Sequence, residues 1–416
     1  MSNTYEKFRN EVVAGGAIDV PDETVGGRRA ALGLAALLAL LALLAIANIW
    51  IFVFVVGLLA SVFLHEVGHF VTARRSGMKV TQFFMGMGPR LWSFKRGDIE
   101  YGVRALPVGA FVRIVGMNNL DETDPADEPF TYRSKSYPRR MLVITAGSMM
   151  HMIIAILLLF TVYTAWGKNR PTGEVKFTAI SAPSPAQRAG VKLDDIIVSL
   201  DGVPVTRAVQ FVDLIHAHRP GDTAQLVVLR GADRIAIAVE LGTNPNAGNV
   251  GLAYMGVSSG NVNDFTDVPL GEAFTSSFSD LGSAAWQSVG GVIKVLNPVN
   301  IYQHVTGSNT DQSTQPVTVY GISRLSSTIG DETGLAGILL TLAGVNVFVG
   351  LLNLFPLLPF DGGHAAIATY ERIRSRRGRR YTADVAKMVP VAMTVMTFLV
   401  MVLFAGLYLD ITNPIR

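Results

Sequence analysis

The sequence predicts a multi-pass α-helical membrane protein with an α+β domain inserted between its two membrane halves. Half of the 416 residues are hydrophobic and only 16% are charged, a composition too apolar for an ordinary soluble enzyme. The apolar residues form several runs long enough to cross a bilayer, and basic residues lie at their ends. A polar part, from Lys168 to about Thr333, interrupts these runs. We expect four core transmembrane helices, one additional N-terminal helix and an extramembrane domain.

The N-terminal region begins with a polar stretch, residues 1–29, which we expect to be a flexible tail. From Ala30 to Ala73 the chain is almost free of charge. As a single helix this stretch would extend about 66 Å, against a hydrocarbon core of about 30 Å. Two spans with a break near Asn48 to Trp50 fit better. Alternatively, Leu32 to Ala47 is a signal peptide that ends in small residues typical of a cleavage site.

The second of these spans contains the pattern H-E-x-x-H, at His65, Glu66 and His69. Residues four apart lie on the same face of a helix, so the two imidazoles can offer nitrogens to one zinc ion, with Glu66 beside the metal. Ionisable groups at membrane depth are costly and usually functional. This setting favours a metal site over a chance pair of packed histidines. Because the chain has no cysteine, further ligands must come from His, Asp or Glu.

The segment from Lys79 to Met117 alternates apolar and polar residues and contains many glycines. Runs such as Ile99 to Ala105 and Ala110 to Val115 predict short β-hairpins. Their apolar content favours a membrane-associated position beside the motif helix, where an edge strand could hold an unwound peptide. A surface hairpin without a catalytic role is the alternative. Asn118 to Pro138 is acidic and is expected to be a solvated loop.

The next span, Met141 to Trp166, follows two arginines and should run outward. Near its start, His151 is the one ionisable side chain that could face a metal cavity. A histidine satisfied by a neighbouring helix explains it equally well. We assign residues 30–166 to the N-terminal membrane half.

The extramembrane part has a β, β, α, β, β order, with glycine and proline between the elements. Its run SPAQRAG…LDDIIVSLDG, within Ser184 to Val203, resembles a PDZ domain of the circularly permuted bacterial kind. Such domains bind extended peptides by strand addition and often hold a terminal carboxylate. We assign residues 170–243 to this domain and residues 244–333 to an extracytoplasmic connecting segment. Within the latter, Thr266 to Val299 is weakly amphipathic and could lie on the outer membrane surface.

The C-terminal membrane half, residues 334–416, starts with an apolar span from Gly334 to Phe355. This span ends in NLFPLLPFDGGH, whose prolines and glycines require a bent or extended chain, so that Asp361 is presented at a helix end. The basic loop from Arg372 to Arg380 should be cytoplasmic. Orientation alone requires such a loop between two spans, so a nucleic-acid patch has little support. The last span is Val389 to Leu409.

These motifs, in this order, resemble the site-2 protease family of intramembrane zinc metalloproteases, of the peptidase M50 type, and most closely its bacterial members with a PDZ domain between the catalytic halves. The resemblance implies that His65, His69 and Asp361 bind Zn²⁺ and that Glu66 is the general base. It also implies that Asn353, in the same motif as Asp361, steadies the substrate or the oxyanion.

The resemblance covers about Trp50 to Leu409, with one departure. At the start of the second span the family commonly shows A-G-P-x-x-N, whereas this chain has Ser148 and His151 in place of the proline and the asparagine. The substitution leaves the local helix geometry and the lining of the pocket open. It does not affect the expected chemistry.

The expected function is proteolysis of transmembrane segments in single-span membrane proteins that were trimmed beforehand, such as anti-sigma factors or signal-peptide remnants. Peptide carboxyl termini at the PDZ domain and the lipid bilayer are the other expected partners, and no nucleic acid is expected. The active site should lie towards the cytoplasmic side of the cell membrane and the PDZ domain outside.

Two other hypotheses are a membrane-tethered PDZ scaffold or chaperone with a vestigial metal site, and a zinc-dependent transporter. The intact Glu66 argues against the first, because a dead site has no need of a base. The second would require ionisable residues spread over several spans, and in this sequence they are concentrated at one.

Overall fold

A computed structural model of the chain describes residues 27–117, 123–244, 251–309, 311–375 and 381–415. Most of the expected N-terminal tail lies outside these ranges, as do the first residues of the expected acidic loop and the second half of the expected basic loop. The chain forms two compact units. The first comprises Met1–Val162 and Phe274–Arg416, and the second comprises Tyr163–Ala273.

Helices dominate the first unit, and most of the strands belong to the second. In chain order the helices are α1 (Gly27–Ala47), α2 (Ile49–Arg75), α3 (Tyr137–Ala165), α4 (Pro185–Ala189), α5 (Ala208–His216), α6 (Leu270–Val295), α7 (Pro298–Val305), α8 (Val319–Asn353), α9 (Asp361–Arg374) and α10 (Val389–Thr412). The strands are β1 (Val80–Arg96), β2 (Ile99–Ile114), β3 (Lys168–Ile180), β4 (Ile196–Leu200), β5 (Val203–Pro204), β6 (Thr223–Arg230), β7 (Asp233–Glu240), β8 (Gly242–Thr243), β9 (Ala253–Tyr254) and β10 (Val257–Thr266).

Four helices in the described part of the chain are long and apolar enough to cross a membrane. They are α2, α3, α8 and α10, the last together with the short turn that precedes it. The apolar stretch of α1, Ala31–Ala47, is shorter than these four. The expectation of four apolar core helices is therefore confirmed, whereas the additional N-terminal span stays a prediction.

Asn48 alone separates α1 from α2, within the range where the break was expected. Its backbone is extended, with φ −159° and ψ 110°, and its side-chain oxygen accepts a hydrogen bond of 2.9 Å from the Ile51 amide. This bond satisfies a free amide in the first turn of α2. The Asn48 amide group donates to Ser327, and the Trp50 indole donates to Asp331, both on α8. The junction is thereby held to α8.

The segment predicted to form short hairpins instead forms one sheet in which β1 and β2 each fold back on themselves. Phe83 pairs with both Val112 and Tyr101, and Tyr101 also pairs with Phe94. The spatial order of the four runs is therefore 110–114, 80–87, 99–106 and 90–96. Phe83 contacts Phe70 of α2 with the rings 5.2 Å apart, so the sheet packs on the motif helix. The run 110–114 is one edge of this sheet.

The span predicted to begin at Gly334 is the second half of a longer helix. Helix α8 begins at Val319, after Thr318 as N-cap, and changes direction at Gly334, where φ is 64° and ψ is −150°. Only glycine adopts this backbone region at low cost. At the start of α8, the buried carboxylate of Asp410 accepts hydrogen bonds from the Thr318 and Gly321 amides. Asp410 thus ties the end of α10 to the beginning of α8.

The second unit is an α+β domain built on an antiparallel sheet in the order β10-β3-β4-β6-β7, with β5 paired to β4. Its core includes Phe177, Phe211 and Leu226, all fully buried. The unit extends beyond the predicted 170–243 because β10 completes the sheet, pairing with β3 from Val257↔Ile180 to Thr266↔Lys168. The missed strand contains several serines and asparagines and shows no hydrophobic alternation.

An ion pair joins the residue before β4 to the end of β6 in the second unit. The Asp195 carboxylate is 1% exposed and accepts two hydrogen bonds of 2.7 Å from the Arg230 guanidinium. It also accepts a bond of 2.9 Å from the Lys192 amide. Burial alone would raise the pKa of Asp195, but the Arg230 and Lys192 hydrogen bonds outweigh it and hold this pKa below its ordinary value.

Candidate active site

Three side chains from two helices meet in the first unit. His65 and His69 lie one turn apart on α2 and are buried, and their Nε2 atoms are 3.1 Å apart. Asp361, the first residue of α9, places its Oδ2 atom 3.3 Å from each of these nitrogens. Donor atoms about 2.05 Å from a tetrahedral zinc ion are about 3.3 Å from one another. The three side chains therefore fit a single zinc ion.

The position of Asp361 depends on the segment between α8 and α9. As expected from the prolines and glycines, α8 ends at Asn353 and α9 begins at Asp361. A Cβ atom at Gly362 would overlap the Leu354 carbonyl, and one at Gly363 would lie 2.5 Å from the Leu358 nitrogen. The two glycines are thus required for the close approach that brings the aspartate to the histidines.

Helix α3 forms the wall of the site through Gly147, the glycine of the A-G-P-x-x-N position, to which the sequence analysis gave no role. A Cβ atom added at Gly147 would overlap His69 Nε2 and lie 2.5 Å from His65 Nε2. Opposite it, a Cβ atom at Gly68 would lie 2.8 Å from the Ala146 carbonyl oxygen. The glycines let α2 and α3 approach closely, and the space beside Gly147 is occupied by the proposed ligand nitrogens.

The two histidines differ in their outer hydrogen bonds. His69 Nδ1 is 2.8 Å from the Val143 carbonyl oxygen, which accepts its proton and fixes the tautomer with a lone pair on Nε2. His65 Nδ1 is buried and has no hydrogen-bond partner among the residues that the structure describes. The His151 ring packs against the His65 ring, with centroids 4.9 Å apart. His151 Nδ1 is hydrogen-bonded to Asn346 of α8. The histidine therefore both contacts the site and has a hydrogen-bond partner on a neighbouring helix.

Glu66 and Asn353 were also expected at the site. The Glu66 carboxylate lies close to His65, His69 and Asp361, and also close to the backbone N–H of Val112. Val112 belongs to the edge run 110–114, so this edge lies beside the cluster. Asn353 is the last residue of α8 and is half-buried. Within the described ranges, no hydrogen bond joins its side chain to the cluster.

A buried ion pair holds the helix that carries Asp361. Arg140 at the start of α3 donates a hydrogen bond of 2.6 Å to Glu371 of α9, and both side chains are 10% exposed. Glu371 also accepts a bond from the Ala383 amide. The Arg140 guanidinium lies 4.9 Å from the ring centre of Tyr132, and burial raises the pKa of that phenol to about 12. These contacts fix α9 against α3.

The family model of peptidase family M50 matches residues 53–397, a range that contains every residue of the cluster. The chain belongs to peptidase family M50. It is 31% identical to the zinc metalloprotease Rip1 of Mycobacterium bovis over 408 residues, covering 88% of this chain and 98% of that one. It is 32% identical to Rip1 of Mycolicibacterium smegmatis over 415 residues, with the same coverage.

Membership of this family settles the class of the protein. The protein is an intramembrane zinc metalloprotease of the site-2 protease type, and its metal is Zn²⁺. It is also a multi-pass membrane protein. A solved PDZ domain of the SdrC-like protein from Listeria monocytogenes matches 20% of this chain and 85% of its own length, with 22% identity and a TM-score of 0.18. A TM-score at that level supports no argument about the fold.

Proposed function

We propose that the protein cleaves transmembrane segments of single-span membrane proteins whose outer domains have already been removed. The observation that carries this proposal is the cluster of His65, His69 and Asp361 at zinc-ligand spacing, with Glu66 and a sheet edge beside it. Three protein ligands leave the fourth tetrahedral position for water or substrate, as in catalytic zinc sites.

The cluster and the two polar residues expected beside it have different roles in this proposal. His65, His69 and Asp361 hold the metal. When bound, zinc supplies Lewis acidity, which makes a water molecule acidic near neutral pH and polarises the scissile carbonyl. Glu66 takes the proton of the attacking water, because it is a carboxylate beside the cluster that does not hold the metal. Asn353 donates a hydrogen bond to the developing oxyanion, the role that the family resemblance implies.

The sheet edge beside Glu66 provides a way to hold the substrate. The carbonyls of a helical substrate are engaged in i to i−4 hydrogen bonds, so the segment must unwind before it is cut. An unwound segment can pair with the edge run 110–114 by strand addition. The peptide would then lie along this edge, next to the Glu66 carboxylate.

The charges predict the orientation in the membrane and the division of the chain. Arg74, Arg140 and the basic loop after α9 lie at helix ends that we place in the cytoplasm. The zinc site is then towards the cytoplasmic side, and the second unit is extracytoplasmic. We assign this unit to a PDZ domain that takes peptide carboxyl termini. Its edge strand β10, linked to α5 by the Ala208 amide and Asn261, would receive the peptide.

An outer domain that accepts peptide ends suits substrates that carry a new carboxyl terminus after external trimming. Anti-sigma factors, whose cytoplasmic part would be released to change transcription, and signal-peptide remnants both have this form. In this account the PDZ domain excludes substrates with bulky outer domains. Lipid contacts would come from the four core helices and from α6, whose exposed apolar residues are Leu270, Phe274, Phe278, Trp286, Val289 and Ile293.

The catalytic assignment is tested by measuring zinc content and cleavage of a model transmembrane peptide on the same purified variants. Glu66→Gln should keep zinc and lose at least about 100-fold in turnover, because it removes the base and leaves the ligands. Asp361→Ala should lose both. Loss of metal in Glu66→Gln would make Glu66 a ligand, and full metal retention with normal turnover in Asp361→Ala would remove that residue from the site.

The exclusion of untrimmed substrates by the PDZ domain, here called its gating role, is tested by deleting that domain. The deletion should run from Asn169 to Phe265, because Lys168 and Thr266 are paired neighbours and a short linker can join them. Gating predicts that the shortened protein cuts an untrimmed substrate that the full chain leaves intact. If the untrimmed substrate stays resistant and the trimmed stub is no longer cut, the domain recruits substrates and does not exclude them.

A further inference from the structure

A chain of buried hydrogen bonds crosses from α2 to α8 and α3 next to the zinc site. Ser61 donates to the Gly57 carbonyl at 2.9 Å. Since its one proton is used there, Ser61 Oγ is the acceptor of the 3.0 Å bond from Asn346 Nδ2. The same Asn346 nitrogen donates to the Leu342 carbonyl at 2.8 Å. A backbone carbonyl only accepts, so the Asn346 amide group must face it, and the orientation of this side chain is fixed.

The fixed amide determines the tautomer of His151. The Asn346 Oδ1 atom is an amide oxygen and can only accept, and it lies 2.8 Å from His151 Nδ1. His151 therefore donates from Nδ1. The ring is 2% exposed, and a cation beside a zinc site at membrane depth would be costly, which favours a neutral ring. A neutral ring protonated at Nδ1 keeps a lone pair on Nε2 and can only accept there.

The neighbouring His65 needs an acceptor for its Nδ1 proton. Its Nε2 atom faces the two other donor atoms of the proposed zinc site, so the proton of the neutral ring is on Nδ1. That N–H is buried without a partner in the described part of the chain. A zinc-bound histidine almost always donates its other N–H to an acceptor, which orients the ring and raises its basicity. The His151 ring lies 4.9 Å away, centroid to centroid.

We propose that His151 is a positioning residue for the metal: when zinc is bound, His151 Nε2 accepts the Nδ1 proton of His65. The inference rests on the proposed zinc site. It completes a chain in which every donor has an acceptor, from His65 through His151, Asn346 and Ser61 to the Gly57 carbonyl. It also excludes a role of His151 as oxyanion donor, because its one N–H is already given to Asn346. The histidine thus keeps an acceptor at the position where the family usually has an asparagine.

The test uses the full chain in detergent and measures zinc affinity by chelator competition and the visible spectrum of the cobalt-substituted protein. His151→Phe keeps a ring of similar size without an acceptor. It should lower zinc affinity by about 10–100-fold and shift the cobalt bands. His151→Asn, which restores an acceptor oxygen, should recover most of the affinity. The matched control is His304→Phe, since His304 is also buried and hydrogen-bonded but lies away from the site, next to Thr314.

The possible outcomes separate this inference from the proposed site. If His65→Ala keeps full zinc affinity, the site assignment itself fails. If His65→Ala loses zinc while His151→Phe keeps wild-type affinity and spectrum, only the role of His151 is overturned, even if turnover falls. If His151→Phe does not fold, Asn346→Leu serves as the second variant. It retains the His151 ring and removes the Asn346 oxygen that accepts the Nδ1 proton of His151. It should weaken zinc binding in the same direction, and an unchanged affinity there would also overturn the proposal.

Discussion

Gly147→Ala is expected to weaken zinc binding by at least about 100-fold without unfolding the protein. The added Cβ would lie 2.5 Å from His65 Nε2 and would overlap His69. An ordinary non-bonded contact is about 3.5 Å, so the imidazoles must move by about 1 Å. Metal–ligand distances tolerate only about 0.2 Å. Since two of the three proposed ligands are displaced beyond this tolerance, zinc affinity should fall by at least about 100-fold.

The fold should survive because the displaced atoms are the ends of side chains that can rotate. The assay therefore combines zinc affinity, from chelator competition, with the thermal midpoint in detergent. Gly344→Ala on α8 is the matched control, because a Cβ there meets nothing within 4 Å. It should leave zinc affinity unchanged and gain up to about 1 kcal/mol of helix stability. Wild-type zinc affinity in Gly147→Ala would refute the assignment of these two histidines.

Two further predictions concern ion pairs. Asp195→Asn should cost about 2 kcal/mol at neutral pH, because it removes charged hydrogen bonds to Arg230. The pKa of Asp195 is lower in the folded than in the unfolded chain, so its stabilisation is complete above about pH 4 and is lost as the pH falls through the folded pKa. In the full chain, the amides of β4 should thus exchange faster in Asp195→Asn than in wild type, and this rate difference should shrink below pH 4. A rate difference that persists below pH 4 would contradict this account. Arg140→Leu should cost about 3 kcal/mol, because it leaves Glu371 buried without its partner; a thermal midpoint equal to that of wild type would show that the pair does not hold α9.

The sequence was most informative where a local pattern carries the chemistry. The spacing of His65 and His69 follows directly from the helical repeat, and the two prolines before Asp361 require the break that the structure contains. Asn48 also lies where the length of the apolar stretch required a break. In each case the signal is contained within a few adjacent residues, so it does not depend on tertiary contacts.

The features that sequence reasoning missed depend on contacts between distant segments. Gly147 is one of 41 glycines, and only the packing of α3 on α2 shows that this one must lack a side chain. Asn346 could have been noticed as an amide inside an apolar span, which is costly unless it is bonded. The folding back of β1 and β2 into one sheet, and the pairing of β10 with β3, are non-local, and no short-range pattern encodes them.

The pairing of Lys168 with Thr266 has a consequence for how such a chain can change over time. Cα atoms paired across antiparallel strands are about 5 Å apart, so the inserted domain enters and leaves at almost the same point. A genetic event that adds, deletes or exchanges the whole insert need not stretch or break either flanking half. The insert can therefore act as a cassette, and under the proposed gating role selection can alter which proteins reach the peptidase while its zinc chemistry stays untouched.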